Sequence, residues 1–443
     1  MKKEYNGQWY YAESEDEKFN GRLIIEDNRI ILKVYGRMCR HNEFELYRTI
    51  NGITNDGKKV TLIKCMCISY PFLGGSEMIY TAEKLILGNC YKDSDAINIK
   101  TITCNYTDLD KWFFQNSLKV ESNEDGFDIR YNEPEIEEFD IGDFKIIFKS
   151  KKSCKGNLYN KITFENNLSI EFSFKEPVNI VDAIDTINHF RNLLTIFSNN
   201  KISFYNIRLV DYENINISLI LNKMHVEKFT DKEPYDIFIR YSDIKENFKD
   251  IVERWYKNKE KIQPIVDYLS YLIEEDKFVV PLTFMTTIQA IEAFHRRTRN
   301  NVKINEDEHE IKVSRILNSL SNEDDIEWLS EILKYTNEPA LPKRLKEMFK
   351  EVKFLVAIPS KIRDKLCWKI CNTRNYYTHF SEDKKKDIMS IDEMFSLTNY
   401  LKLILRVLIF KDLEISDEDI SNRLEEVDDE KYVIKFFEKE FKI

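Results

Sequence analysis

The sequence predicts an α+β protein, with a β-rich N-terminal domain over residues 1–240 and an all-α domain over residues 241–443. Three observations carry this. The hydrophobic period is close to two up to about residue 175, it switches to 3.6 from about residue 240, and 443 residues exceed what one ordinary core organises. Only 11 Gly and 9 Pro, beside 42% hydrophobic and 33% charged residues, describe a folded, loop-poor chain rather than a disordered or fibrous one. Its 29 Phe and 23 Tyr make aromatic rings a large part of the expected core.

In the first domain, residues 21–36 hold two β-branched runs around Asp27-Asn28, a hairpin signal. Residues 50–62 repeat it, with Asn51-Gly52 and Asp56-Gly57 as punctuation. Further strands are expected at 79–88, 97–105, 143–149, 159–165, 168–174, 201–210 and 217–224. Leu168, Ile170, Phe172 and Phe174 alternate with polar residues, so that strand buries one face. Trp112, in 109–113, is expected to anchor a short turn or helix against the sheet. The acidic segment 121–142, which includes Glu121, Glu124, Asp125, Glu133, Glu135, Glu137 and Glu138, reads as a solvated loop or edge. Residues 178–198 form a helix, with Ile180, Ile184, Ile187, Leu194 and Phe197 recurring at helical spacing. His189 on it reads as a packed or surface histidine. This half has no Gly-rich phosphate loop, no G-x-S-x-G and no metal cluster, so its sequence assigns it no chemistry.

In the second domain, Phe248, Ile251, Val252 and Trp255 mark a first helix. Ile265, Tyr268, Leu269 and Leu272 mark a second, with Pro264 near its first turn. Phe278-Val279-Val280-Pro281 leads into a helix from Leu282 to about Arg299. Residues 300–310 are a polar connection. His309 there stands among Glu306, Asp307, Glu308 and Glu310, a charge run that reads as solvated, with a metal site as the alternative. Helices follow at 311–320, 324–335 and 342–356. The next starts at Pro359-Ser360, with Ser360 as N-cap and Ile362, Leu366 and Ile370 on one face. The last strong helix spans 391–411. An acidic stretch, 412–430, and an amphipathic tail with Tyr432, Ile434, Phe437 and Phe441 close the chain.

A net charge of −10 argues against tight, non-specific nucleic-acid binding and leaves only local patches for such contacts. Among the eight cysteines, Cys65/Cys67 and Cys367/Cys371 are the close pairs, and no histidine stands near either with finger-like spacing. No metal or other cofactor is therefore expected. The N-terminus lacks an apolar core segment, and no run approaches the ~20 residues that span a bilayer. A cytoplasmic protein with reduced thiols and no membrane partner is expected.

The chemistry lies in Arg374-Asn375-Tyr376-Tyr377-Thr378-His379, an R-N-x-x-x-H stretch. It joins a permanently charged guanidinium, an amide, and an imidazole that titrates near neutrality. The imidazole can move protons at a ribose 2′-hydroxyl or a leaving oxygen, and the guanidinium can stabilise charge gathering on a phosphate. On a helix Asn375 and His379 share a face, whereas Arg374 and His379, five residues apart, do not. Just upstream, Lys361, Arg363, Lys365, Lys369 and Arg374 stand against the single acid Asp364. These are candidate phosphate contacts or an ordinary solvated face. Tyr376 and Tyr377 either stack on bases or pack in the core. On the earlier helix, Gln289, Glu292, His295 and Arg296 form a polar stripe. Glu292 is placed to pair with Arg374 or orient His379, and His295 is a second supporting residue.

R-N-x-x-x-H at 374–379, in an all-helical domain behind a basic helix, resembles the signature of the HEPN superfamily of helical-bundle ribonucleases. More narrowly, the chain resembles ApeA-like proteins of anti-phage defence, in which a β-rich domain precedes a HEPN domain. The Ile291–Arg296 stretch is similar to that family's early bundle helix, and the strands at 21–36 and 50–62 are similar in pattern to its N-terminal domain. The resemblance implies a metal-independent endoribonuclease that leaves 2′,3′-cyclic phosphate and 5′-hydroxyl ends, with His379 moving protons, Arg374 gripping phosphate and Asn375 orienting. It further implies a homodimer or higher homo-oligomer through the helical domain, and a host or phage RNA substrate, tRNA included. Growth arrest follows, and a phage-derived trigger acts at the N-terminal domain. Lys361, Arg363, Lys365, Lys369 and Tyr377 would contact RNA. The alternative is a non-catalytic RNA-binding or sensor protein that keeps the motif as a remnant. A metal nuclease lacks a suitably spaced carboxylate cluster.

Overall fold

The first ten residues, silent in the pattern of the sequence, open the largest element of the fold. Strand β1 (Lys2–Tyr11) lies between β2 (Phe19–Glu26) and β4 (Arg48–Thr54), antiparallel to both. The structure, a computed structural model, describes residues 2–38, 47–70, 77–113, 118–123, 126–132, 137–157, 159–222, 232–275, 279–380 and 387–443. Cys39, Glu124, Asp125, Glu133, Glu135, Phe278 and the last two residues of the 217–224 strand lie outside these. The described residues divide into two units. The first comprises 1–194, 202–232 and 246–253, and the second 195–201, 233–245 and 254–443.

In the first unit β2 turns into β3 (Arg29–Tyr35) through Asp27 and Asn28, both at positive φ, as a two-residue hairpin turn requires. The second hairpin joins β4 to β5 (Lys59–Ser69). The expected strand at 79–88 is two strands, β6 (Glu77–Thr81) and β7 (Lys84–Leu87). The reason lies in β5, which bends at Lys64 (φ 51°). Before the bend Val60–Ile63 pair with β7, and after it Met66–Ser69 pair with β6. Because β6 also pairs with β3, the ring β5-β4-β1-β2-β3-β6 closes into a six-stranded antiparallel barrel with no free edge.

Trp9, Leu23, Ile30, Leu32, Val34, Ile50, Leu62, Met78 and Leu85 belong to its buried core. Trp9 explains two glycines. A Cβ on Gly52 would stand 2.2 Å from its indole ring and one on Gly21 2.9 Å from it, so the ring is seated against bare backbone.

From β7 the sheet continues outward through β15 (Asn216–Leu221), β14 (Phe204–Asp211), β8 (Asn98–Tyr106), β13 (Lys161–Asn179), β12 (Phe144–Asn157) and β11 (Glu138–Ile141). The two strands expected at 159–165 and 168–174 are the single 19-residue β13. The acidic segment is not simply a loop: β9 (Leu118–Asn123) and β10 (Gly126–Tyr131) pair with each other, and β11 joins the sheet. Helix α1 (Leu109–Phe113) carries the buried Trp112 and Phe113 onto Phe148. On α2 (Ile180–Ser198), Phe190 packs on Tyr106 and Phe172, and His189 is buried.

The second unit is helical. Its elements are α3 (Tyr241–Ile244), the last four residues of α4 (Phe248–Lys257), α5 (Lys259–Glu274), α6 (Val280–Thr298), α7 (Glu306–Leu317), α8 (Glu323–Leu333), α9 (Leu341–Glu351), α10 (Ser360–His379), α11 (Ile391–Asp412), α12 (Asp417–Glu426) and α13 (Asp428–Phe441). Pro264 lies inside α5 rather than at its start. Helix α11 is the axis: it packs on α5, α6 and α13, and buries nearly its whole length from Met394 to Phe410. Within that core Arg406 is fully buried. It donates to the Ile196 carbonyl and pairs with the buried Glu430. The acidic stretch 412–430 contains α12, capped by Ser416, whose carboxylates crowd the first turn where the helix dipole favours them. Among the described residues no helix is long and apolar enough to cross a membrane.

Candidate active site

Helix α10 delivers the R-N-x-x-x-H stretch. It begins after Pro359, which occupies the N-cap position without a side-chain hydrogen bond, so Ser360 is the first helical residue and not the cap. Leu366, Cys367, Ile370, Cys371 and Thr373 are buried on its inner face, against α9 and α6. Burial pushes the Cys367 and Cys371 thiols up to about 12, so both are unreactive packing groups at neutral pH. Thr373 is fixed from both sides: its hydroxyl donates to the Lys369 carbonyl and accepts the Met389 N–H at 2.9 Å. The helix stops at His379 because Phe380 turns left-handed (φ 51°) and returns its N–H to the Tyr376 carbonyl.

This geometry sorts the motif by face. Arg374 and Thr378, one turn apart, line a groove of about 600 Å³ whose far wall is α6: Leu282, Met285, Thr286, Gln289, Glu292, Ala293 and Arg296. In the groove the Arg374 guanidinium stands 3.6 Å from the Glu292 carboxylate and donates to the Asn375 side-chain oxygen at 3.1 Å. Arg374, Asn375 and Glu292 are thus brought together. His379 is not in that groove. It lies exposed at the last turn, with no partner among the described residues. Beside it Tyr376, Tyr377 and Phe380 meet edge to face at centroid distances of 5.2–6.4 Å, which leaves Tyr377 half-buried.

The polar stripe on α6 divides. Gln289, Glu292 and Arg296 face the groove, Gln289 donating to the Tyr268 hydroxyl at 3.0 Å and Arg296 pairing with Glu338 at 2.7 Å. His295 turns the other way and is 1% exposed. The Arg344 guanidinium donates to its Nδ1 at 3.1 Å, so the proton sits on Nε2, which donates to Glu347 at 2.8 Å. Burial holds this imidazole below the usual histidine range, and the adjacent Arg344 adds to that, against the opposing pull of Glu347. Arg344 is itself buried. These partners on α9 were not foreseen in the sequence. The available signal was Arg344 on the otherwise apolar face of Leu345, Met348 and Phe349.

Of the candidate phosphate contacts, Lys361 and Lys365 are exposed and Arg363 is half-buried. Lys369 is committed to Glu393 at 2.5 and 2.8 Å, and Asp364 to Lys346 at 3.0 Å. His309 donates to or accepts from the Thr336 hydroxyl at 3.0 Å, and no group of three or more His, Cys, Asp and Glu side chains among the described residues is placed to hold a metal ion.

Comparison with known families accounts for both halves. The model described as ApeA N-terminal domain 1 matches residues 4–255, more than half of the chain, and the model described as Apea-like HEPN matches residues 285–419, which include all of the groove's lining except Leu282 and the whole R-N-x-x-x-H stretch. No curated protein matches the chain. With the two domains matched in this order, the chain belongs to the ApeA family, an ApeA N-terminal domain followed by an Apea-like HEPN domain.

Proposed function

We propose that the protein is a metal-independent endoribonuclease of anti-phage defence that halts growth by cutting RNA, with tRNA among the candidate targets. The observation that carries this reading is the meeting of Arg374 and Glu292 in one open groove, with Asn375 accepting from the Arg374 guanidinium and an exposed His379 at the next turn of the helix. Arg374 grips the scissile phosphate and offsets charge in the transition state. Asn375 and Glu292 orient the guanidinium. His379 moves the proton at the 2′-hydroxyl or the leaving oxygen, which gives 2′,3′-cyclic phosphate and 5′-hydroxyl ends. Since Arg374 faces the groove and His379 does not, a full site takes Arg374 from one copy and His379 from another, in a dimer built through the helical unit. The N-terminal unit then senses a phage-derived trigger or restrains the nuclease.

The test is cleavage of RNA by purified protein in EDTA, with the ends sequenced. Wild type leaves cyclic phosphate, and His379→Ala and Arg374→Ala leave none; cleavage that survives both substitutions overturns the reading. The separation of His379 from the groove also favours a second reading, a non-catalytic RNA-binding sensor. It predicts that phage protection is the same in His379→Ala cells as in wild type.

A further inference from the structure

Strands β12 and β13 run on past the sheet. Strand β11 pairs with β12 at Phe144–Ile147, and β8 pairs with β13 from Ile170 onward, so among the described residues the distal ribbon from Lys151 to Asn167 pairs with itself alone. Its composition reverses the sign of the chain. Residues 149–166 hold five lysines (149, 151, 152, 155 and 161) and one glutamate, a net +4 in a protein of −10. Register places these charges. Lys151↔Asn167, Ser153↔Glu165, Lys155↔Thr163 and Asn157↔Lys161 share one face, and Ile162 and Phe164 stand on the other.

The basic face continues onto the sheet, where Lys149, Lys151 and Arg208 line a groove of about 350 Å³ together with Thr101, Thr103 and Ser169. The two carboxylates here are already matched, Glu171 by Lys149 at 2.6 Å and Glu165 by Lys155 at 2.9 Å. Lys151, Lys161 and Arg208 are exposed and have no partner among the described residues. At the ribbon's turn the Asn157 side chain accepts the N–H groups of Tyr159 and Asn160, and Tyr159 is 96% exposed.

We infer that this ribbon and the groove at its base form a binding arm for the backbone of single-stranded RNA, separate from the helical groove of Arg374. Unpaired cations suit a chain of phosphates, and an exposed ring at the tip suits an unstacked base. Lysines that merely guard a ribbon edge from aggregation need no arginine in a groove at its base and no exposed tyrosine at its tip. The inference takes from the proposed nuclease only the choice of RNA as the polyanion, and its test does not involve cleavage.

A fluorescent single-stranded RNA is titrated with the full chain carrying His379→Ala, at several salt concentrations, and folding of each variant is checked by circular dichroism. Replacing Lys151, Lys161 and Arg208 together by Ser weakens binding about tenfold and lowers the log–log salt slope by about 2, at roughly 0.7 per phosphate contact. Tyr159→Ala weakens it about tenfold with the slope unchanged. Replacing Lys312, Lys435 and Lys439 by Ser leaves both unchanged. Unaltered RNA affinity in the folded triple variant overturns the inference. So does a triple variant that keeps RNA binding but loses binding to anionic phosphatidylglycerol vesicles, which gives the arm to a membrane surface. Should wild type bind RNA through the arm yet never cut it, the arm stands and the nuclease reading falls.

Discussion

Two histidines, His295 on α6 and His379 on α10, carry the same side chain into opposite settings. His295 is enclosed, its tautomer fixed by Arg344 on one nitrogen and Glu347 on the other. His379 ends a helix in solvent, beside an aromatic cluster and one turn from a groove that holds Arg374. A buried, doubly bonded imidazole contributes to stability and resists protonation; an exposed one keeps both nitrogens available for proton transfer. The contrast teaches that a polar residue beside a candidate site need not belong to it. His295 lies three residues from Glu292, yet it serves the packing of α6 on α9.

The largest effect expected from this contrast is on cleavage. His379→Ala should lower RNA cleavage by about 10²–10⁴-fold, the range of general acid–base catalysis. Its thermal midpoint should stay close to wild type, since an exposed substitution changes stability by about 0.5 kcal/mol or less. A variant that unfolds, or cuts RNA at the wild-type rate, removes His379 from the chemistry.

His295→Ala should reverse that pattern. It removes one acceptor from the buried Arg344 guanidinium, which keeps Glu338 at 3.3 Å, and leaves a space in the packing of α6 on α9, at a cost of about 1–3 kcal/mol. His295→Gln keeps a donor toward Glu347 and an acceptor for Arg344, and should recover most of the loss in urea unfolding. The pH dependence follows with a definite sign. Because burial lowers the folded-state pKa of His295, the folded protein binds fewer protons at this site than the unfolded chain does. Its contribution is fully present above pH 6.5 and is lost as pH falls through the depressed value. The difference in urea midpoint between wild type and His295→Gln should therefore narrow or change sign below pH 6.5; a constant difference from pH 5 to 8 contradicts a neutral, buried imidazole.

Much of this contrast was legible in the sequence, and the part that was not has a physical cause. The hydrophobic period gave α10 and α11 nearly to their ends, and the polar stripe on an otherwise apolar α6 pointed to Glu292 as a partner for Arg374, from which it stands 3.6 Å. It could not say which way His295 turns, because the stripe Gln289, Glu292, His295 and Arg296 spreads over more than one face and only α9 decides which residues are covered. Strand β1 was missed for a similar reason. Lys2, Lys3, Glu4 and Asn6 give no alternation of apolar residues, and the strand is held by two neighbours and by Trp9 seated on Gly21 and Gly52. The barrel was illegible too, since its closure depends on the bend at Lys64 that lets β5 serve both β6 and β7.

The smallest expected effect tests the side chain that stands between the two settings. Glu292 shares its helix with His295 and the groove with Arg374. Its ion pair at 3.6 Å is partly exposed on both sides, so Glu292→Gln should change stability by less than about 1 kcal/mol. Gln keeps an oxygen for the guanidinium but removes a negative charge from a groove proposed to receive phosphate. KM for RNA should therefore fall a few-fold while kcat falls less than about tenfold, as looser orientation of Arg374 offsets the gain in attraction. Cleavage lost as completely as in His379→Ala would make Glu292 a proton-transfer group. The groove, and not the exposed end of α10, would then hold the chemistry.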